Sequence, residues 1–240
     1  MQIVTMDVVT AYLYGKIERE IYLRIPEGLN INKEKYLLKV SSAIYGLKIA
    51  GKTWYETLIT ELMKIGFVRS LVEWCIFIKK NSDNTLSILA IYVDDLLFVS
   101  NSDQDRDITT ELLKTKFKIK INPNPKSFIG LQIVINENEL QISQTNYISK
   151  LAKSLNLDGS SKKLSSPMEN NLKLEKSEVP NDDPEFRSFI GALLFVSRFS
   201  RLDLLHSRTS RAVPGMGKTG AQNLCQTHYS IFMVHEGIEN

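Results

Sequence analysis

The stretch Leu89-Ala90-Ile91-Tyr92-Val93-Asp94-Asp95-Leu96-Leu97-Phe98-Val99 places two adjacent carboxylates in the middle of an apolar run. Ionised Asp is seldom buried, because removing its charge from water is costly unless a partner compensates for it. A divalent cation is one such partner. The alternative is a polar hairpin turn whose two acids face water. The stretch therefore marks either a metal site or an ordinary turn between two strands.

A third acid, Asp7, lies on a β-branched run, residues 2–9, at the start of the chain. Residues 86–92 and 96–100 also read as strands, with Asp94 and Asp95 at or beside the tight turn between them. Adjacent strands of one sheet would bring the three carboxylates together, where they repel one another unless cations bind them. Their oxygen atoms suit Mg²⁺ or Mn²⁺, and two such ions can promote phosphoryl transfer. For Asp7 alone, a strand-end acid in water is the alternative.

Apolar periodicity predicts four helices, at about residues 50–65, 105–117, 144–155 and 184–199. In the second helix the predicted buried face is Ile108, Leu112, Leu113 and Phe117. Antiparallel hairpins interrupted by helices predict an α+β domain, in which helices pack on one face of an antiparallel sheet. The predicted organisation is a domain over 1–157, a polar linker over 158–183, a helical segment over 184–210 and an unassigned irregular tail over 211–240.

Composition sets the broad class of the protein. Its 240 residues are 43% hydrophobic and 24% charged, which is ordinary for a globular chain that buries a core. No apolar run reaches the length of a membrane span. Cys75 and Cys225 are the two cysteines, and neither stands in a metal-ligand spacing, so a reducing intracellular setting is expected. The net charge of +3 permits nucleic-acid binding without requiring it.

Residues 212–219, Ala-Val-Pro-Gly-Met-Gly-Lys-Thr, fit a loose phosphate-loop pattern and raise a nucleoside triphosphatase as an alternative function. Such a loop works because it joins a buried strand to a helix whose backbone N–H groups cradle phosphate. The preceding residues 206–211 do not read as a buried strand. Too little chain then remains for a nucleotide-binding sheet, so this alternative is disfavoured.

Tyr92-Val93-Asp94-Asp95 resembles the YxDD motif of reverse transcriptases, and residues 7–12, Asp-Val-Val-Thr-Ala-Tyr, resemble the first acidic motif of the same polymerase palm. Over about residues 1–210 the chain is similar, in order, to further stretches of copia-type retrotransposon polymerases. These stretches are Glu20-Ile21-Tyr22-Leu23, Pro26-Glu27-Gly28, Tyr45-Gly46-Leu47-Lys48, Trp54-Tyr55, Phe128-Ile129-Gly130-Leu131 and Phe186-Arg187-Ser188-Phe189-Ile190-Gly191. The resemblance implies a palm fold, with the chain a fragment from which the preceding fingers segment is largely missing.

The resemblance also implies a metal site. Asp7 and Asp94 would be the main ligands of two Mg²⁺ or Mn²⁺ ions, and Asp95 would support them. Val8 would offer its backbone carbonyl to a metal. The three acids would then be the catalytic residues of the polymerase.

Further implied roles concern the incoming nucleotide. The backbone of Thr10 and Ala11 would line the triphosphate of a dNTP. Tyr12 would lie beneath the sugar and exclude a 2′-hydroxyl by steric contact. Lys120 or Lys126 would be the general acid for the pyrophosphate leaving group, the alternative being that both are solvated surface lysines.

The primer end would be contacted by Tyr92 and Val93, and the turn that contains Phe128 and Gly130 would grip the primer strand. The implied partners are an RNA or DNA template with its primer, dNTPs, and other parts of a retrotransposon polyprotein, with no membrane. The implied location is intracellular, in a cytoplasmic particle or the nucleus.

The implied function is RNA-directed DNA polymerisation, in which a dNTP is joined to a primer 3′-hydroxyl. Two departures put turnover in question. Ile49 stands where the family usually has Gln, and the fingers segment expected before Asp7 is absent. The alternative is a catalytically inactive remnant that keeps only the palm fold.

Overall fold

The computed structural model describes residues 2–81, 84–136, 139–154 and 184–201. The chain divides into two compact units, residues 1–129 and 130–240. The predicted linker and the predicted tail lie outside the described residues, as does the phosphate-loop-like stretch 212–219. Within the described ranges, no helix combines the length and the hydropathy that a membrane crossing requires.

Runs of strands are interrupted by helices along the chain, as the sequence predicts. The described strands are β1 (Gln2–Val8), β2 (Tyr22–Leu23), β3 (Leu38–Lys39), β4 (Val68–Arg69), β5 (Ile76–Lys80), β6 (Leu86–Tyr92), β7 (Asp95–Ser100), β8 (Ile119–Asn122), β9 (Ser127–Phe128), β10 (Leu131–Ile135) and β11 (Leu140–Ser143). The described helices are a 3-10 helix (Ala11–Tyr14), α1 (Ala50–Lys64), α2 (Asp103–Lys114), α3 (Thr145–Ser154) and α4 (Pro184–Phe199).

A six-stranded sheet forms the body of the first unit, with its strands in the order β4-β5-β6-β7-β1-β8. Each neighbouring pair in it is antiparallel, and β2 pairs with β3 as a separate small ribbon. The predicted α+β class with an antiparallel sheet is therefore confirmed. Strand β7 pairs with β6 on one side and with β1 on the other, so a strand from the start of the chain lies beside the central β6–β7 hairpin.

The second unit contains its own antiparallel hairpin, β10–β11. Its helices α3 and α4 are joined by an aromatic contact, because the ring centroid of Tyr147 lies 5.0 Å from that of Phe195. At the end of α4, the Ser200 hydroxyl donates a hydrogen bond to the buried Gln144 side chain at 2.7 Å.

Side chains of the large sheet alternate between two faces, as the period of two along a strand requires. On β1, Met6 and Val8 are buried, whereas Thr5 and Asp7 are partly exposed. Helices α1 and α2 both contribute to the core on the buried face, so both pack on the same side of the sheet. That core comprises Val4, Met6, Val8, Ala11, Trp54, Leu58, Leu62, Phe67, Phe77, Leu89, Ile91, Leu96, Phe98, Leu113 and Phe117.

The buried face of α2 differs from the predicted one. Leu113 is buried as expected, and so is Phe117 just beyond the end of the helix. Ile108 and Leu112 are exposed, and Asp105 and Thr109 point inward instead. The helix starts where the Ser102 hydroxyl accepts a hydrogen bond from the backbone N–H of Asp105, a standard N-cap. A buried ion pair made by the Asp105 carboxylate turns the helix so that this polar stripe faces the sheet.

Candidate active site

The predicted acids Asp7 and Asp95 lie at one end of the large sheet. Asp7 is the penultimate residue of β1 and stands directly opposite Asp95, the first residue of β7. Directly opposed residues of antiparallel strands point to the same face, with Cβ atoms about 4.5–5.5 Å apart. Because Met6 and Val8 belong to the buried face, Asp7 and Asp95 project from the other one, where both are partly exposed.

The third acid, Asp94, lies in the turn between β6 and β7. Tyr92 pairs with Asp95, so Val93 and Asp94 are the two residues of the loop. The φ of Val93 is 57°, a left-handed conformation that is strained for a β-branched residue. Two hydrogen bonds hold this loop, both to backbone carbonyls. The Trp54 indole donates to Val93 at 2.7 Å, and the backbone N–H of Val8 donates to Asp94 at 2.9 Å.

Trp54 recurs with Leu58 and Leu62 at helical spacing, a pattern that predicts only a core residue of α1. In the structure its ring is buried, while its Nε1–H supports the loop that carries the acids. A buried Trp with a single N–H donor usually has a partner, but sequence spacing does not identify which carbonyl accepts it. Trp54 is therefore a support of the site that the sequence pattern did not reveal.

A second strained residue, Thr10, lies three positions after Asp7 in the sequence. Thr10 has φ 55° and ψ 44°, and its hydroxyl donates to the carbonyl of Val9 at 2.7 Å. The 3-10 helix then starts with the buried Ala11 and with Tyr12, whose ring centroid lies 4.6 Å from that of Tyr45. Strained backbone at non-glycine residues is concentrated at functional sites. Two of the four non-glycine residues with positive φ in the described part of the chain, Thr10 and Val93, lie on the loops that adjoin the acids.

Lys120 is brought beside the acids, since it stands opposite Asp7 on β8. Its Nζ lies 3.6 Å from Oδ2 of Asp7, and both side chains are well exposed to solvent. An ion pair of this kind contributes little to stability. Lys126 is exposed in the segment between β8 and β9. The three residues Asp95, Asp7 and Lys120 thus form a row across β7, β1 and β8.

The carboxylates interact electrostatically. Partial burial, followed by the neighbouring charges of Asp94 and Asp7, raises the pKa of Asp95 above its ordinary value. Among the described residues, no group of three or more His, Cys, Asp or Glu side chains is already arranged as a metal-ligand cluster. The acids nevertheless fit a hard divalent cation in donor type and in charge, because such a cation relieves their repulsion.

The residues predicted to contact the primer fall into two groups. Tyr92 and Val93 are both exposed at the end of the β6–β7 hairpin, beside the acids. Phe128 lies in β9 of the first unit, whereas Gly130 belongs to the second unit. Gly130 has φ +82°, and a Cβ there would approach the Phe195 ring to 3.0 Å, so a side chain is not accommodated without movement.

Comparison with known proteins identifies the family. Residues 1–170 match the family described as reverse transcriptase (RNA-dependent DNA polymerase). The chain belongs to this reverse transcriptase family. The identification agrees with the order of the acids in the fold, since the first acid is on β1 and the second pair is on the β6–β7 hairpin.

This reverse transcriptase chain is similar to polyproteins of retrotransposons. It is 28% identical over 221 residues to the retrovirus-related Pol polyprotein from transposon TNT 1-94 of Nicotiana tabacum, covering 86% of this chain and 16% of that protein. It is 30% identical to the Pol polyprotein from transposon RE2 of Arabidopsis thaliana, covering 84% and 14%. It is 31% identical to the transposon Ty1-DR5 Gag-Pol polyprotein of Saccharomyces cerevisiae, covering 85% and 12%. The chain spans less than a fifth of these relatives, and the resemblance to copia-type polymerases is confirmed.

Asp95→Asn should stabilise this reverse transcriptase chain at neutral pH by up to about 1 kcal/mol, because the Asp95 charge is partly buried and faces the like charges of Asp94 and Asp7. The raised pKa fixes the sign: the carboxyl of Asp95 favours folding while protonated, and this contribution is lost as the pH rises through its pKa in the folded chain. The free energy of unfolding in urea measures the difference, which should shrink as the pH falls through the raised pKa toward about pH 4. A variant less stable than the wild type at neutral pH would contradict the repulsion.

Proposed function

We propose that the chain is the palm of an RNA-directed DNA polymerase and carries its nucleotidyl-transfer centre. The observation that supports this proposal is the pairing of Asp7 with Asp95 across β1 and β7, with Asp94 in the adjoining loop. Acids that are distant in the sequence are thereby gathered at one end of one sheet. The family of the chain and the order of the three acids along it agree with nucleotidyl transfer.

In the proposed centre, Asp7 and Asp94 hold two Mg²⁺ or Mn²⁺ ions, with Asp95 beside them and the backbone carbonyl of Val8 as a further oxygen donor. Bound there, the ions supply activation of the primer hydroxyl and charge neutralisation for the leaving group. The protein contributes rigidity, because hydrogen bonds from Trp54 and Val8 fix the hairpin loop before any ligand binds. Such fixed placement lowers the cost of reaching the transition state.

The nucleotide lies against the loop that follows β1. The backbone of Thr10 and Ala11 lines its triphosphate, and the ring of Tyr12 occupies the space that a 2′-hydroxyl needs. The primer 3′-hydroxyl gives its proton to solvent water as its oxygen bonds to the α-phosphorus, and the bond from that phosphorus to the pyrophosphate oxygen breaks. Lys120, whose Nζ already lies 3.6 Å from an Asp7 oxygen, donates a proton to the leaving pyrophosphate, with Lys126 as the other candidate donor.

The partners in this proposal are an RNA or DNA template with its primer, and dNTPs. Tyr92 and Val93 touch the primer end, while Phe128 and Gly130 belong to the segment that grips the primer strand. The chain works beside other parts of a retrotransposon polyprotein, inside the cell, in a cytoplasmic particle or the nucleus. Binding through backbone phosphates should weaken as salt rises.

A primer-extension assay on poly(rA)/oligo(dT) with dTTP tests the proposal directly. We expect extension with Mg²⁺ or Mn²⁺, loss of extension when EDTA removes the ion, and strong preference for dTTP over UTP. The dependence on template is read by replacing poly(rA) with poly(rU), which cannot direct dTTP addition.

The competing function is a folded remnant without turnover. One observation favours it: Ile49, which replaces the Gln usual in the family, stands at the N-cap of α1 without a side-chain hydrogen bond. A chain that has a folded circular-dichroism spectrum and extends no primer with either ion would establish the remnant and refute the polymerase.

A further inference from the structure

Four large apolar side chains are exposed within seven residues at the β4–β5 edge of the large sheet. Leu71 and Val72 are 98% and 94% exposed, and Val68 and Trp74 are 68% and 64% exposed. Single exposed apolar residues are ordinary, but a cluster of this density is typical of an interaction site. Residues 70–75, which carry three of the four, are called the Trp74 loop below.

The Trp74 loop is fixed by hydrogen bonds. The hydroxyl of Ser70 accepts from the backbone N–H groups of Val72 at 3.2 Å and Glu73 at 3.3 Å. The Tyr55 hydroxyl, from α1, donates to the carbonyl of Trp74 at 2.6 Å. A loop held in this way presents its side chains without a further ordering cost when a ligand binds.

The Trp74 loop lies at the same end of the sheet as the acids. The carbonyl of Cys75 accepts a hydrogen bond from the backbone N–H of Ile91, the residue before Tyr92. The order β5-β6-β7-β1 places three strand spacings between this loop and Asp7. At about 4.8 Å per spacing, strands β5 and β1 lie about 14 Å apart in the plane of the sheet, the length of about four stacked nucleotides.

The chemistry around the Trp74 ring favours nucleic acid. The Arg69 guanidinium lies over the ring with its carbon 4.5 Å from the ring centroid. Lys52 is three residues before Tyr55, on the same face of α1; its side chain is 76% exposed, and its Nζ lies 3.7 Å from the exposed Glu56 carboxylate. One oxygen of the neighbouring Glu73 carboxylate already accepts a hydrogen bond from the backbone N–H of Cys75 at 3.3 Å. Arg69 covers one face of the ring, and the 64% exposure of Trp74 leaves room for a base on the rest of it. An exposed aromatic ring beside a cation is a usual means of binding a single strand.

We propose that Trp74 is a stacking platform for an unpaired base of single-stranded nucleic acid, about four nucleotides from the primer end bound at Asp7, Asp94 and Asp95. Arg69 and Lys52 face the phosphates of that strand. This assignment rests on the proposed function for the position of the primer end, but its chemistry is separate from nucleotidyl transfer.

The two tryptophans of the chain provide a direct measurement. Trp54 is 1% exposed and Trp74 is 64% exposed, so a stacking ligand quenches the emission of Trp74. Titration of the wild-type chain with oligo(dT) should quench tryptophan emission, and raising the salt concentration should weaken the binding. Binding that leaves tryptophan emission unchanged would overturn the proposal.

Substitutions distinguish base stacking on Trp74 from non-specific apolar binding by the Trp74 loop. Loss of a base–aromatic stack should weaken oligo(dT) binding about 10-fold in Trp74→Ala, measured by the anisotropy of a labelled strand. Trp74→Phe should restore most of the affinity. Leu71→Ala, which removes a fully exposed side chain from the same loop, is the matched control and should bind like the wild type. Equal weakening in Leu71→Ala and Trp74→Ala would refute a stacking role.

Two further outcomes are decisive. If sedimentation shows self-association that Leu71→Asp abolishes while oligo(dT) binding stays intact in Trp74→Ala, the loop binds protein and the proposal is wrong. Failure of the two proposals can be told apart. Quenching without primer extension supports the platform and refutes polymerase turnover, whereas extension without quenching refutes the platform alone.

Discussion

Primer extension by Asp94→Asn should be at least about 1,000-fold slower than by the wild-type chain. In the proposed centre Asp94 is a main metal ligand, and removing its charge removes several kcal/mol of stabilisation of the charge that develops on phosphorus oxygens. The fold should survive, because the group of Asp94 that stabilises the hairpin is its backbone carbonyl, which accepts from the N–H of Val8. The rate of dTTP incorporation on poly(rA)/oligo(dT) is the measurement.

Asp107→Asn is the matched control for this substitution. Asp107 is an exposed acid on α2 that pairs with Arg106 at 2.9 Å. Losing such an exposed pair should leave the stability nearly unchanged, and the rate of extension should stay at the wild-type value. Extension that continues unchanged in Asp94→Asn, with the control equally active, would remove this acid from the proposed centre.

The sequence predicted the strands of the site well, because their apolar runs are long and strongly patterned. The turn at Asp94 and the strand that carries Asp7 were both predicted, and so was the antiparallel α+β class. The pairing of β1 with β7 could not be predicted from such patterns, because most of the first unit separates the two strands along the sequence. The register that sets Asp7 opposite Asp95 depends on tertiary contacts, and no local pattern encodes it.

The sequence did not predict the polar contacts. Trp54 and Lys79 look like a core residue and a surface residue, yet one supports the hairpin loop and the other is paired with the buried Asp105. Asp105 itself was predicted at the start of a helix, where acids are ordinary. Whether a charged side chain at such a position points outward or inward depends on a partner from another part of the chain. The buried polar face of α2 follows from that partner.

Asp105→Ala should lower the free energy of unfolding by about 3–5 kcal/mol, because it leaves a buried cation without its partner. The side chain of Asp105 is 7% exposed and that of Lys79 is 15% exposed, and the ammonium lies 2.5 Å from the carboxylate. The same carboxylate accepts from the Ser87 hydroxyl, which lies 2.8 Å from the Ser100 hydroxyl. A shift of the urea midpoint at constant slope measures the loss.

The same pair sets a pH dependence. Burial alone would raise the pKa of Asp105, but the hydrogen bonds from Lys79 and Ser87 outweigh it and hold the pKa below its ordinary value. The contribution of Asp105 to stability is therefore complete above about pH 4 and is lost as the pH falls through its lowered pKa in the folded chain. In Asp105→Ala this part of the acid dependence should be missing.

An exposed pair on the same helix provides the comparison. Lys114 lies 2.7 Å from Glu111, but both side chains are largely in water, so Glu111→Ala should cost at most about 1 kcal/mol. Lys79→Met combined with Asp105→Ala should cost less than the sum of the two single changes, because the double variant leaves no unpaired charge. Additive losses would show that the two groups do not interact. A loss in Asp105→Ala no larger than in Glu111→Ala would show that burial adds nothing, and the orientation of α2 would then need another cause.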